Sequence, residues 1–136
     1  MRASANRLVA TILGVVYLVV GVVSFFATSG IGFFSHSGRL VAGLLAANPL
    51  LSSLDVLIGA ALLMAGLTTV TAAKTVTTVA GTAFLVLGIA GLFVIGSPFN
   101  VLALNGADNV LHFASAVVLL AVGLGSDRSV TTAVTS

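Results

Sequence analysis

The stretch ALNGADNVLHFASAVVLL, residues 103–120, decides the fold. Asn105 is a good helix N-cap, and Asp108 stands three residues on, where a carboxylate can answer the cap as in a capping box. A carboxylate there also meets the positive end of the helix favourably. The run then stays apolar, broken only by His112 one turn further in, on the same face as Asp108. The chain holds three acidic side chains and two histidines in all, so an acid and a histidine within five residues ask for an explanation.

The surroundings are lipid. Apolar residues make up 59% of the 136 residues and charged ones 6%, with a mean hydropathy of +1.28. A soluble domain carries about 25% charged residues, so this chain could not cover itself with a water-compatible surface. Its length suits one domain. The net charge of +2 is too weak to suggest nucleic acid, and the absence of cysteine removes disulfides, thiolate metal sites and thiol redox chemistry.

Four apolar runs, residues 8–27, 49–67, 76–96 and 106–124, each approach the roughly 20 helical residues that cross a hydrocarbon core. The first follows Arg2 and Arg7, but its length exceeds the apolar region of a signal peptide, so it reads as a retained helix. Arg2, Arg7, Lys74 and Arg128 fall in the N-terminus, the second loop and the tail; Arg39 alone lies in the first loop. The positive-inside rule then puts both termini in the cytoplasm and residues 28–48 and 97–105 on the outer face. Phe25, Phe26, Phe33, Phe34, Phe93, Phe99 and Phe113 gather toward that outer side, as interfacial anchors or as the lining of a lipid or quinone groove. Residues 125–136 read as a polar, disordered cytoplasmic tail.

The chain repeats itself. Shifted by 57, residues 48–67 lie on 105–124, matching Asn48 to Asn105, Asp55 to His112 and Gly66 to Gly123. Shifted by 67, residues 9–26 lie on 76–93, matching Gly14 to Gly81, Tyr17 to Phe84 and Gly21 to Gly88. Two helical hairpins related by an axis along the membrane normal follow. Small residues seven apart (Gly14 and Gly21, Gly59 and Gly66, Gly81 and Gly88, Ala116 and Gly123) suit close, left-handed packing. The expected fold is all-α: a left-handed four-helix transmembrane bundle built from two repeated hairpins.

Asn48, followed by Pro49, and Asn105 are the expected N-caps of the second and fourth helices. Asp55, Asp108 and His112 form a candidate polar interhelical cluster, because ionisable groups within membrane helices usually face the interior and find a partner. A contact between His112 and Asp55 or Asp108 is expected, on the premise that helices two and four meet near the axis. The cluster could be a structural ion-pair network, a proton or ligand site, or a poor metal site; no metal ligands and no cofactor are expected. His36 reads as an exposed loop residue.

LNGADNVLH (104–112), with LVAGLLAANPL (40–50) leading into the second helix, resembles a group of small actinobacterial four-helix membrane proteins catalogued only as a domain of unknown function. The resemblance covers most of residues 8–124. It implies the fold and the bacterial inner membrane, and no activity. That group's pattern carries histidines in the second helix where this chain has Leu51 and Asp55, which counts against a histidine-pair metal or haem site. A looser similarity to four-helix membrane proteins tied to quinone oxidoreduction is analogy of fold.

No nucleophile–base set, phosphate loop or strong metal motif is present, so the leading expectation is a non-catalytic scaffold or accessory subunit of a membrane complex. It would pack in the bilayer against a membrane-protein partner or a second copy of itself. The alternative is a small proton-coupled carrier or quinone-linked redox component working through Asp55, Asp108 and His112.

Overall fold

The structure, a computed structural model, describes residues 3–128. Its elements are α1 (Ala5–Ala27), a hairpin of β1 (Arg39–Val41) and β2 (Leu45–Ala47), then α2 (Pro49–Leu67), α3 (Val70–Val94) and α4 (Gly106–Gly125). All four helices are long and apolar enough to cross a membrane. The molecule is an all-α, four-helix membrane bundle.

Each helix starts where a polar side chain can take up an orphan N–H of the first turn. Ser4, Asn48, Thr69 and Asn105 accept from the backbone N–H of Arg7, Leu51, Ala72 and Asp108. In α4 the cap is reciprocal: Asp108 Oδ2 accepts from the Asn105 N–H at 2.9 Å. The third helix begins at Val70, six residues before the apolar run at Val76. Thr69 caps it there, and the extra turn brings Lys74 to the end of α4, where Nζ donates to the Gly123 and Ser126 carbonyls at 2.7 Å each. It ends at Val94 rather than Gly96, with the chain turning at Gly96 (φ 80°).

The β-hairpin was not legible in the sequence. Its strands pair antiparallel, Arg39 with Ala47 and Val41 with Leu45. Ala42 and Gly43 at its tip both have positive φ, 53° and 68°, as a type I′ turn requires. Asparagine or aspartate before the glycine would have signalled that turn, and alanine does not. Most of the tail expected to be disordered, residues 129–136, lies outside the described residues.

Packing is closest within each sequential hairpin, α1 on α2 and α3 on α4; α2–α3, α1–α3 and α1–α4 touch less, and α2–α4 is not a packed pair. Glycine makes the intimate contacts possible. A Cβ built on Gly14 would come within 2.5 Å of the Leu63 backbone nitrogen, and one on Gly59 would collide with that of Leu18. On the other hairpin a Cβ on Gly81 would lie 3.0 Å from the Leu120 nitrogen. Polar ties recur in the same way. Arg7 Nε donates to the Gly66 carbonyl at 3.0 Å and Lys74 Nζ to that of Gly123; Asn48 Nδ2 donates to Val101 at 2.7 Å and Asn105 Nδ2 to Leu44 at 3.0 Å. Lys74 and Gly123 stand 67 and 57 residues after Arg7 and Gly66, and Asn105 and Val101 stand 57 residues after Asn48 and Leu44.

The hairpins meet along α2–α3, α1–α3 and α1–α4, and the aromatic core lies between α1 and α3. Tyr17 stacks on Phe84 at 4.4 Å between ring centroids, both fully enclosed with Leu62 and Leu119. At the end holding the termini, Asp127 closes the bundle. Its Oδ2 accepts from Ser4 Oγ at 2.8 Å, Asn6 Nδ2 at 2.7 Å and the Asn6 backbone N–H at 3.0 Å, while Asn6 Oδ1 accepts from Thr77 Oγ1 at 2.6 Å.

Two outcomes follow from these contacts. Gly14→Ala should lower the thermal unfolding temperature in detergent, because the added methyl meets backbone; overpacking costs about 1–3 kcal/mol. Gly106→Ala, with open space around it, should not. Equal melting of the two variants would show that the α1–α2 contact is not so tight. The second outcome concerns Asp127, which lies beyond α4. Burial works against its charge, but the Asn6 and Ser4 hydrogen bonds and the nearby Lys74 outweigh it and hold the carboxyl below its usual value. The carboxylate's stabilisation is therefore fully present above the unfolded value of about 3.9 and is lost as pH falls through the lower folded value. Asp127→Asn should melt earlier than the wild type at neutral pH and match it in strong acid; a deficit independent of pH would contradict this.

Candidate functional site

Asp55 and His112 each lie seven residues past an asparagine cap, about 10 Å down their helices at 1.5 Å per residue. Both face the interior, with 6% and 2% of their surfaces exposed. Four helices build this level of the bundle. α1 supplies Tyr17, α2 Asp55, α3 Phe84, and α4 both His112 and Ser115. The Tyr17 hydroxyl hydrogen-bonds Ser115 Oγ at 2.6 Å, and the His112 ring stacks on Phe84 at 5.5 Å with a 20° interplanar angle.

The expected contact of His112 with Asp55 or Asp108 is not formed. His112 Nδ1 and Asp55 Oδ1 are both buried without a hydrogen-bond partner. The reason is which helices meet: α1 and α3 occupy the middle, so Tyr17 and Phe84 face each other there, and α2 and α4 are held apart. Among the described residues, no group of three His, Cys, Asp or Glu side chains is placed to hold a metal ion.

Asp108 separates from the other two. Its carboxylate is taken up by the cap of α4 and by the backbone of Ala46 in β2, which lies against that helix end. Asn105 and Asn48 tie the same region together through their bonds to Leu44 and Val101, and Asn48 also reaches the Ser35 carbonyl at 3.0 Å. These three residues have structural work to do. His36 is exposed in the loop above them.

Sequence reasoning missed Tyr17, Ser115 and Asn109. Asn109 donates to the Gly88 carbonyl at 3.3 Å, and its Oδ1 is a further buried atom without a partner. The available signal was positional: Ser115 stands three residues after His112 and Asn109 three before it, on one face of α4.

Four spanning helices, two loops folded over one end and a buried polar interior define a small polytopic membrane protein. The chain belongs to the family described as a domain of unknown function (DUF4383), whose model matches residues 7–125. No curated protein and no solved structure matches it.

Proposed function

We propose that the protein is a proton-coupled component of the bacterial inner membrane, with Asp55 and His112 as the groups that take up and release the proton. The observation that carries this reading is the pair of buried ionisable side chains with an unpartnered atom each. An aspartate within a membrane helix costs roughly 2.5–3.5 kcal/mol near its centre on insertion scales. Leaving a buried polar atom unsatisfied costs about 1–3 kcal/mol more. Intramembrane ionisable residues without a charge partner or a helix cap to serve mark proton or ion paths. The Tyr17–Ser115 hydroxyl pair at the same level can relay a proton between α1 and α4, since either oxygen can donate. Asp108 has no part in the transfer, because the helix cap holds it.

The second reading is a scaffold or accessory subunit, favoured by the wide apolar surface the helices leave uncovered, including Leu57, Met64, Leu92 and Val117. In it a membrane-protein partner or a second copy covers that surface.

The test uses the purified protein in lipid nanodiscs. Infrared titration should show a carboxyl signal that Asp55→Asn removes, and an imidazole signal that His112→Gln removes. Asp55→Asn should keep the wild-type melting temperature, because no partner charge is stranded. A fall of about 3–5 kcal/mol, the usual effect of breaking a buried ion pair, with no titrating carboxyl would make Asp55 structural. A stoichiometric protein recovered in mild detergent would favour the accessory subunit.

We also place both termini in the cytoplasm, on the distribution of Arg7, Lys74 and Arg128 against Arg39. The chain has no cysteine to interfere, so Ser37→Cys and Ser126→Cys can be probed with an impermeant thiol reagent on intact cells. Position 37 should label and position 126 should not; the reverse pattern inverts the orientation.

A further inference from the structure

Arg39 differs from the other described basic residues. Arg7, Lys74 and Arg128 belong to the end of the bundle that holds the termini, whereas Arg39 stands at the opposite end, at the start of β1. It is exposed, and it is fixed in place. Its Nη1 donates to the Ala27 carbonyl at 2.7 Å and to the Ser29 carbonyl at 3.2 Å, so it caps the C-terminal end of α1. A guanidinium has five N–H donors in a rigid fork. Two carbonyls occupy Nη1, which leaves the Nε–Nη2 edge unused. That edge is the one that matches two oxygens of a phosphate. Among the described residues no carboxylate pairs with it.

Below the helix end that Arg39 caps, a cleft of about 420 Å³ runs between the last turns of α1 and the first turns of α2. Val22, Phe25 and Phe26 form one wall; Ser53, Val56 and Leu57 form the other. Phe26 adjoins Ala27, whose carbonyl holds the guanidinium. The one polar group in the lining, Ser53 Oγ, already donates to the Pro49 carbonyl at 2.7 Å. The cleft therefore offers an occupant no free donor, and its walls are otherwise hydrocarbon. It exists because Gly21 brings the α2 backbone in close, while Phe25 and Phe26 stand away on either side. Its volume is at the lower end of the range of small-ligand sites, about 300–1,000 Å³, which suits a chain rather than a helix.

We propose that the protein binds one anionic phospholipid at this place, with an acyl chain in the α1–α2 cleft and the headgroup phosphate on the Nε–Nη2 edge of Arg39. The two halves of the site match the two halves of the ligand. Hydrocarbon meets hydrocarbon within the bilayer, and Arg39, the one arginine or lysine at that end among the described residues, meets the phosphate at the interface. A zwitterionic lipid can fill the cleft, but its own cationic headgroup competes for the phosphate. Selection of the anionic lipid therefore rests on Arg39, and retention of any lipid rests on the cleft.

Native mass spectrometry of the full chain tests this, after exchange into detergent carrying equal amounts of phosphatidylglycerol and phosphatidylcholine of matched chains. One phosphatidylglycerol should stay bound, favoured roughly tenfold, the scale of one charge-assisted bidentate contact. Arg39→Gln should bring the preference close to unity. Arg39→Lys, which keeps the charge without the fork, should retain part of it. Leu57→Trp, at a position 66% exposed and so free of folding strain, should fill the cleft and reduce retention of both lipids. Equal binding of the two lipids by the wild type would overturn the proposal. So would an unchanged preference in Arg39→Gln, or full retention in a folded Leu57→Trp. A helix of another protein cross-linked to Leu57 in membranes would also overturn it, by giving the cleft to a protein.

Discussion

Everything in this bundle depends on close approach at the glycines, where α1 and α2 meet backbone to backbone and side chains of α4 seat directly on the glycines of α3. In lipid no water is released when helices associate, so dispersion must hold them, and dispersion falls off within a fraction of an ångström. Gly14 against Leu63 and Gly59 against Leu18 give α1 and α2 that proximity. Large side chains on the same stripe cannot remain between helices so close together. Tyr17, between Gly14 and Gly21, is pushed past α2 into the space the second hairpin shares, where it finds Phe84.

The position of the ionisable groups is a consequence. With Tyr17 of α1 and Phe84 of α3 stacked in the core, α2 and α4 do not form a packed pair. Asp55 and His112 are then buried by the same packing that keeps them from pairing. Other buried polar groups show how a structural role looks here. Asn6 engages Thr77 and Asp127, Asn48 engages Ser35 and Val101, and Asn100 bonds both the N–H and the carbonyl of Leu104 at 2.9 Å. Against those satisfied side chains, Asp55, His112 and the Asn109 amide oxygen each keep a buried atom without a partner, and of the three only Asp55 and His112 can take up a proton, which is the case for a working site.

The loops add a directional element. The first connection is long enough to fold its own hairpin, which lies against the head of α4 through Ala46 of β2 and Leu44 of the turn before it. The second connection returns the contact when Val101 accepts from Asn48. One end of the bundle is therefore roofed by two interlocked loops, and the other is closed by Asp127 and Lys74. Asp55 and His112 sit under the roof, nearer that end.

Composition and run length alone determined that the chain spans a membrane with four helices, because a charge-poor apolar stretch of that length has no other stable home. Asn48 and Asn105 were legible as helix starts for an equally local reason, since a cap needs only the following turn. Membership of a family of unknown function was legible as a resemblance spread over most of the chain, and the family model covers residues 7–125. The partner of His112 was not. Two residues at equal depth on related helices meet only if those helices meet, and Asp55 gives no local sign of which flank its helix occupies. The seven-residue glycine spacing showed that some helices pack closely without saying which pairs. Only the tertiary structure decided that each hairpin closes on itself and that Tyr17 and Phe84 take the centre, because choosing among helix pairings is a competition between whole surfaces.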